Sequence, residues 1–270
     1  MTPPILVPVT AEDDARRKRR HIAFWVTALA AITLVGGLVH KRSTSPLHAQ
    51  KSFDGGKRLL RITRYEEAIL SFDRAIALKP DFAEAYFLRG KALLAKGDER
   101  VNSDRAIEDF TKVIELQPGD PRPLLERCGV HLGHANLEAA IADCTKALAL
   151  DPQLERAYNL RGAAIRATGD LRRALADFSR AVDLAPTPDN YYQRAATYEL
   201  LGEYRPALAD LDLMVATSPG SPQAYSARAE ARLVLGDIEG VKRDRQRAEE
   251  LFPPPDRVLN NLRTSLGVSH

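Results

Sequence analysis

The chain has 270 residues, of which 44% are hydrophobic and 28% charged, and 39 basic against 36 acidic side chains leave a formal net charge of +3. That excess sits near the amino terminus: residues 1–21 hold five basic and three acidic side chains, residues 40–48 add two basic ones, and residues 49–270 hold 32 basic against 33 acidic. A nearly neutral main body excludes the basic footprint of a nucleic-acid-binding domain and leaves the positive charge where anionic lipid head groups would meet it.

In chain order, residues 1–21 read as a basic, disordered cytoplasmic tail, with three prolines in the first ten positions. Residues 22–39 form an uncharged apolar run of 18, which as a helix rising 1.5 Å per residue is about long enough to cross the hydrocarbon core of a bilayer. Arg16, Arg17, Lys18, Arg19 and Arg20 precede this run and only Lys41 and Arg42 follow it closely. The positive-inside rule therefore predicts a single-pass transmembrane helix with a cytoplasmic amino terminus and everything after it exported, into the periplasm if the source is bacterial. A cleavable signal peptide ending near Leu47-His48-Ala49 is the competing reading. Residues 40–48 are expected to be a short tether.

From residue 49 onward the chain repeats itself. Proline returns at Pro80, Pro118, Pro152, Pro186, Pro219 and Pro253, at separations of 38, 34, 34, 33 and 34 residues. Small residues align with the prolines at Gly56, Gly90, Cys128, Gly162, Ala195 and Ala229, and again at Ala68, Ala106, Ala140, Ala174, Ala207 and Val241. Small side chains at matching heights let two antiparallel helices approach closely, while Tyr86, Tyr158, Tyr191, Tyr225, Phe72, Phe110 and Phe178 fill the remaining space. Gly97-Asp98, Gly169-Asp170, Gly202-Glu203 and Gly236-Asp237 mark the turns, the glycine ending one helix and the acid favouring the next. Six hairpins are predicted, over 49–82, 83–120, 121–154, 155–187, 188–221 and 222–253. The second holds about four extra residues in Glu99-Arg100-Val101-Asn102-Ser103-Asp104, read as a longer inter-helix turn.

These Tyr, Gly, Ala, Phe, Ala and Pro columns resemble the tetratricopeptide repeat over residues 49–253. The resemblance implies an all-α, right-handed solenoid of about six hairpins whose inner, concave face receives an extended peptide or a partner helix. On that face it places Phe87, Lys91, Arg122, Leu125, Arg156, Asn159, Tyr192 and Glu230 as candidate partner-binding residues. Chaperone-binding relatives clamp a terminal carboxylate with a Lys and an Asn; Lys91 and Asn159 each lack the matching residue, so that ligand class is not expected. Block three departs from the pattern with Cys128 and Cys144, and block six with Val241 and Arg245.

Comparison of the blocks exposes a further pair of columns. Arg89, Arg127, Arg161, Arg194 and Arg228 have acidic counterparts at Asp109, Asp143, Asp177, Asp210 and Asp244, four of them 16 residues away and the second 20. Block one has Gly55 and Ser71 in these places, so both columns vanish together. A structural arginine–carboxylate bridge between the two helices of each hairpin is predicted, with a ladder of arginines reading an acidic ligand as the alternative.

Cys128, His131, His134 and Cys144 are the one cluster with metal-ligand chemistry. Three-residue steps rotate by about −60° each on a helix, so Cys128 and His134 diverge by about 120° and do not close on one ion; no metal or other cofactor is expected. If Cys128 faces the Ala140 level, Cys144 lies about one turn too far for a bridge. Two core thiols are the first reading and a disulfide the second, the latter suited to an exported compartment. Phosphate loops, His-Glu-x-x-His, Cys-x-x-Cys and Gly-x-Ser-x-Gly are all absent. After Pro253-Pro254-Pro255, the spacing of Val258, Leu259, Leu262 and Leu266 predicts a capping helix within 254–270. Together these features predict a membrane-anchored, non-enzymatic scaffold for protein or peptide partners, with no nucleic-acid role. The rivals are a ligand- or metal-binding accessory subunit using block three, and an import-receptor-like protein facing the cytosol.

Overall fold

The computed structural model describes residues 46–97 and 100–253, and within them every regular element is an α-helix. The basic tail, the apolar run 22–39 and the carboxy-terminal segment 254–270 lie outside the described residues; no described helix is long and apolar enough to cross a membrane. The chain divides into two compact units, one reaching Lys96 and the other starting at Gly97.

In the first unit, α1 (46–61) is followed by α2 (Tyr65–Leu78) and α3 (Ala83–Lys96). Its core is aromatic. The Phe53 ring lies 5.9 Å from that of Phe72 and 4.6 Å from that of Phe82. Gly56 makes room for this arrangement: a Cβ there would stand 2.6 Å from the Phe72 ring, a distance at which something must shift. Because α1 already begins at residue 46, the last three residues of the expected tether are helical.

In the second unit, α4 (Arg100–Leu116) precedes four hairpins: α5 (Pro121–Gly133) with α6 (Leu137–Leu150), α7 (Glu155–Ala167) with α8 (Leu171–Leu184), α9 (Pro188–Leu200) with α10 (Tyr204–Thr217), and α11 (Pro222–Val234) with α12 (Ile238–Leu251). Each helix packs on the next, and α5 also touches α7 as α7 touches α9, so the first helices of successive hairpins line one side of the stack. Local chemistry sets the ends. Thr187 and Ser221 accept from the backbone N–H three residues on, and Pro188 and Pro222 stand in the first turn where no N–H is needed. Asp170 and Asp237 cap α8 and α12 in the same way, whereas Glu203 makes no cap bond and instead binds Arg172. Lys79, Asp151, Ala185, Ser218 and Phe252 end their helices with φ between −138° and −146°, the extended backbone that a following proline enforces.

The extra residues of block two do not lengthen a loop. Val101 to Asp104 are helical and extend α4 to 17 residues, against 14 in α6, α8, α10 and α12. Asn102 and Ser103 are buried on it, so the added turn is packed. Between hairpin helices the small and large columns meet directly: a Cβ at Gly162 would lie 3.1 Å from the Phe178 ring and 3.3 Å from Cβ of Asp177. Positions 16 apart therefore face each other. Phe178 is 1% exposed, and burying such a ring stabilises by about 1.5–3 kcal/mol.

Candidate protein-binding groove

The arginine column is engaged inside the stack. Nε and Nη2 of Arg127 donate to the two carboxylate oxygens of Asp143 at 2.7 and 2.8 Å, and the same fork joins Arg161 to Asp177 (2.8 and 2.8 Å), Arg194 to Asp210 (2.8 and 2.6 Å) and Arg228 to Asp244 (2.9 and 2.6 Å). The aspartates are buried, and the hydrogen bond to the carboxylate raises the pKa of Arg161, Arg194 and Arg228. Arg89 lies in the first unit, where Nη1 donates to Asp73 at 2.6 Å, while its expected counterpart Asp109 lies in the second unit and is also buried.

The guanidinium does more than close its own hairpin. The remaining nitrogen of Arg127 donates to Thr111 at 2.7 Å, that of Arg161 to Thr145 at 3.3 Å and that of Arg228 to Asp212 at 2.9 Å, each 16 residues back on the helix just before the arginine's own hairpin. One planar fork thus ties two successive repeats, a use for which arginine is suited and lysine is not. The polar column Asp73, Thr111, Thr145, Ser179, Asp212 is present in the sequence and is the signal that could have revealed this second set of bonds.

Block three corrects the thiol reading. Cys128 and Cys144 form a disulfide with Cα atoms 5.6 Å apart, because the facing level is the one 16 residues away and not Ala140. Both sulfurs are fully buried and stand where other hairpins place a small residue opposite a large one. With both thiols consumed, His131 and His134 face carboxylates: His131 Nε2 lies 3.9 Å from Asp143 and His134 Nδ1 3.9 Å from Asp104. Burial lowers the pKa of His131, with Asp143 opposing. Among the described residues no group of three His, Cys, Asp or Glu side chains is arranged to hold a metal.

The expected inner-face residues divide sharply. Phe87 is 6% exposed and belongs to the core, and Leu125 is partly buried against the core cluster around the disulfide. Lys91 lies over the Phe87 ring at 5.8 Å. Arg122 binds Asp120 at 2.8 Å, Arg156 binds Glu126 at 3.2 Å, and Asn159 donates to Glu155 and Asn190. Lys91, Arg122 and Arg156 are exposed as well, and Tyr192 and Glu230 are exposed and come together in one cavity.

They line a cavity of about 750 Å³ between the fifth and sixth hairpins. Its floor is apolar, with Ala196, Leu211, Met214 and Ala227; Tyr192 and Phe252 supply rings; Asp189, Glu199 and Glu230 supply carboxylates. A second cavity of about 510 Å³ shares Tyr192, Ala196, Glu199 and Glu230 and continues along α9 to Arg166 and Gln193. The result is an elongated groove carried by first helices, with apolar surface and polar groups in the mixture that a peptide or helix requires.

The chain contains tetratricopeptide repeats: a TPR repeat model matches residues 56–97, and two Tetratricopeptide repeat models match residues 83–120 and 130–190. No curated protein matches the chain. Among solved structures, it is similar to pilF of Pseudomonas aeruginosa at 17% identity and TM-score 0.64, over 78% of this chain and 94% of that one. MamA from Desulfovibrio magneticus RS-1 matches at 22% identity and TM-score 0.60, over 64% and 97%. YrrB, described as a TPR protein with an unusual peptide-binding site, matches at 21% and 0.56, over 66% and 90%. At these identities the likeness establishes the fold.

Proposed function

We propose that the chain is a scaffold that holds partner proteins on the inner face of its repeats, anchored in a membrane by residues 22–39 with the repeats on the exported side. The groove of the fifth and sixth hairpins carries this reading: there, exposed first-helix side chains and an apolar floor share one cavity, while the arginines of the stack are engaged in bridges. The peptide-binding site of YrrB supports the same use of such repeats. A buried disulfide suits an exported, oxidising compartment, and the basic residues before the apolar run favour the matching orientation. Envelope assembly or secretion is the process such a placement serves.

Ala196→Arg places a long cation in both cavities without touching the bridges. Proteins that co-purify with the wild-type chain from crosslinked membranes should fall about tenfold or more with this variant, corresponding to at least ~1.4 kcal/mol of lost binding. An unchanged set of partners, with the variant chain present at its normal level, would place the interface elsewhere.

A further inference from the structure

First helices of successive repeats meet at a recurring offset. Asn159 donates to Asn190 and Arg166 to Thr197, each across 31 residues, and Arg156 to Glu126 across 30. The same offset of 31 brings Glu199 opposite Glu230, so a position that holds hydrogen-bonded or oppositely charged neighbours elsewhere holds two carboxylates here. Burial and then the negative charge of Glu230 push the pKa of Glu199 up. Asp189 adds a third carboxylate to the same cavity, and among the described residues no Lys, Arg or His lines it. Among the described residues none of the three acids has an ion-pair partner, although residues 49–270 as a whole are balanced in charge. The ring of Tyr192, 44% exposed, stands in the same cavity. Positive charge enters the groove only further along α9, where Arg166 donates to the backbone oxygen and side chain of Gln193; the other titratable groups there are Tyr192 and Tyr204.

We infer that the groove selects a partner segment carrying a lysine or arginine beside an apolar residue, the cation seated between Glu199 and Glu230 and the apolar side chain on Leu211 and Met214. This rests on the scaffold reading and names the chemistry of its partner. A cation between two facing carboxylates relieves their repulsion, and an exposed aromatic ring adds a second attraction for it. An acidic segment meets three like charges and is rejected, which gives the site discrimination as well as affinity.

The test exposes the purified full chain, held in mild detergent, to a random library of capped octapeptides and sequences the bound pool. Lysine and arginine should be enriched about fivefold or more over the input, adjacent to Leu, Ile, Met or Phe, with Asp and Glu depleted. In the Glu199→Gln/Glu230→Gln double variant the basic preference should disappear while apolar enrichment persists and the Tm holds or rises. Enrichment without a basic preference in the wild type would overturn this inference and leave the peptide groove standing. A bound pool no different from a protein-free control would overturn both. Basic enrichment that survives the double variant would assign the selectivity to other residues and also overturn it.

Discussion

Replacing Arg161 with alanine is expected to destabilise the repeat body by about 3 kcal/mol, because removing one partner of a buried ion pair leaves the other charge uncompensated. Asp177 accepts both of its strong bonds from Arg161, and its side chain is 9% exposed. Water therefore cannot replace the lost donors without opening the hairpin, and the tie to Thr145 on the preceding hairpin goes at the same time. For a body of this size the Tm should fall by about 6–12 °C. Arg161→Lys should recover only part of the loss, since an ammonium does not match both oxygens of a carboxylate and also reach Thr145. The pair Arg161→Met with Asp177→Leu should lie much closer to wild type, because an apolar replacement removes the desolvation cost along with the attraction. A Tm for Arg161→Ala within about 1 °C of wild type, accompanied by loss of partner binding, would assign the arginine column to ligand recognition instead.

Reducing the Cys128–Cys144 bridge is expected to cost about 3 kcal/mol, the chain-entropy value for closing a loop of this length, and to lower the Tm by a further ~6–12 °C. The bridge spans 16 residues and occupies the interior of the third hairpin, where both residues are fully buried. The same two places hold Gly162 against Phe178 in the fourth hairpin and Ala195 against Leu211 in the fifth, so two free thiols would underfill the site. Cys128→Gly with Cys144→Phe restores the small-against-large pairing of Gly162 and Phe178 and should regain part of the stability without any bridge. Thermal melts with and without a reductant that penetrates on partial unfolding would measure this. Identical melts, with two titratable thiols in denatured, unreduced protein, would remove the disulfide and with it one support for an exported domain.

The repeat register is legible because prolines, glycines and aromatic residues each have a local reason to recur at 33 to 38 residues. The arginine and aspartate columns are legible because they disappear together in block one, where Gly55 and Ser71 stand. Two features escape a reading of the residues alone, both for want of the helix-to-helix offsets. Within a hairpin, residues 16 apart face each other, so Cys128 meets Cys144; the Gly and Phe columns already carry that distance, small against large. Between hairpins the first helices meet at 31, which is what sets Glu199 against Glu230 and becomes visible only in the structure, in the bonds of Asn159 to Asn190 and of Arg166 to Thr197. Phe87 is misplaced by sequence for a related reason: its ring turns into the core while Tyr192, on a later first helix, stays out. The elongated α4 shows the limit of reading insertions as loops, since Val101 to Asp104 continue a helix whose added turn buries Asn102 and Ser103.

A photoreactive phenylalanine analogue at Tyr192, compared with the same analogue at exposed Lys146 on α6, tests most directly whether this groove holds a partner protein. In intact membranes, irradiation should join the Tyr192 position to a second protein, visible as a discrete adduct on a gel, and the Lys146 position should give little or none. Adducts of equal yield from both positions, or none from Tyr192 at a normal expression level, would contradict a binding groove between the fifth and sixth hairpins.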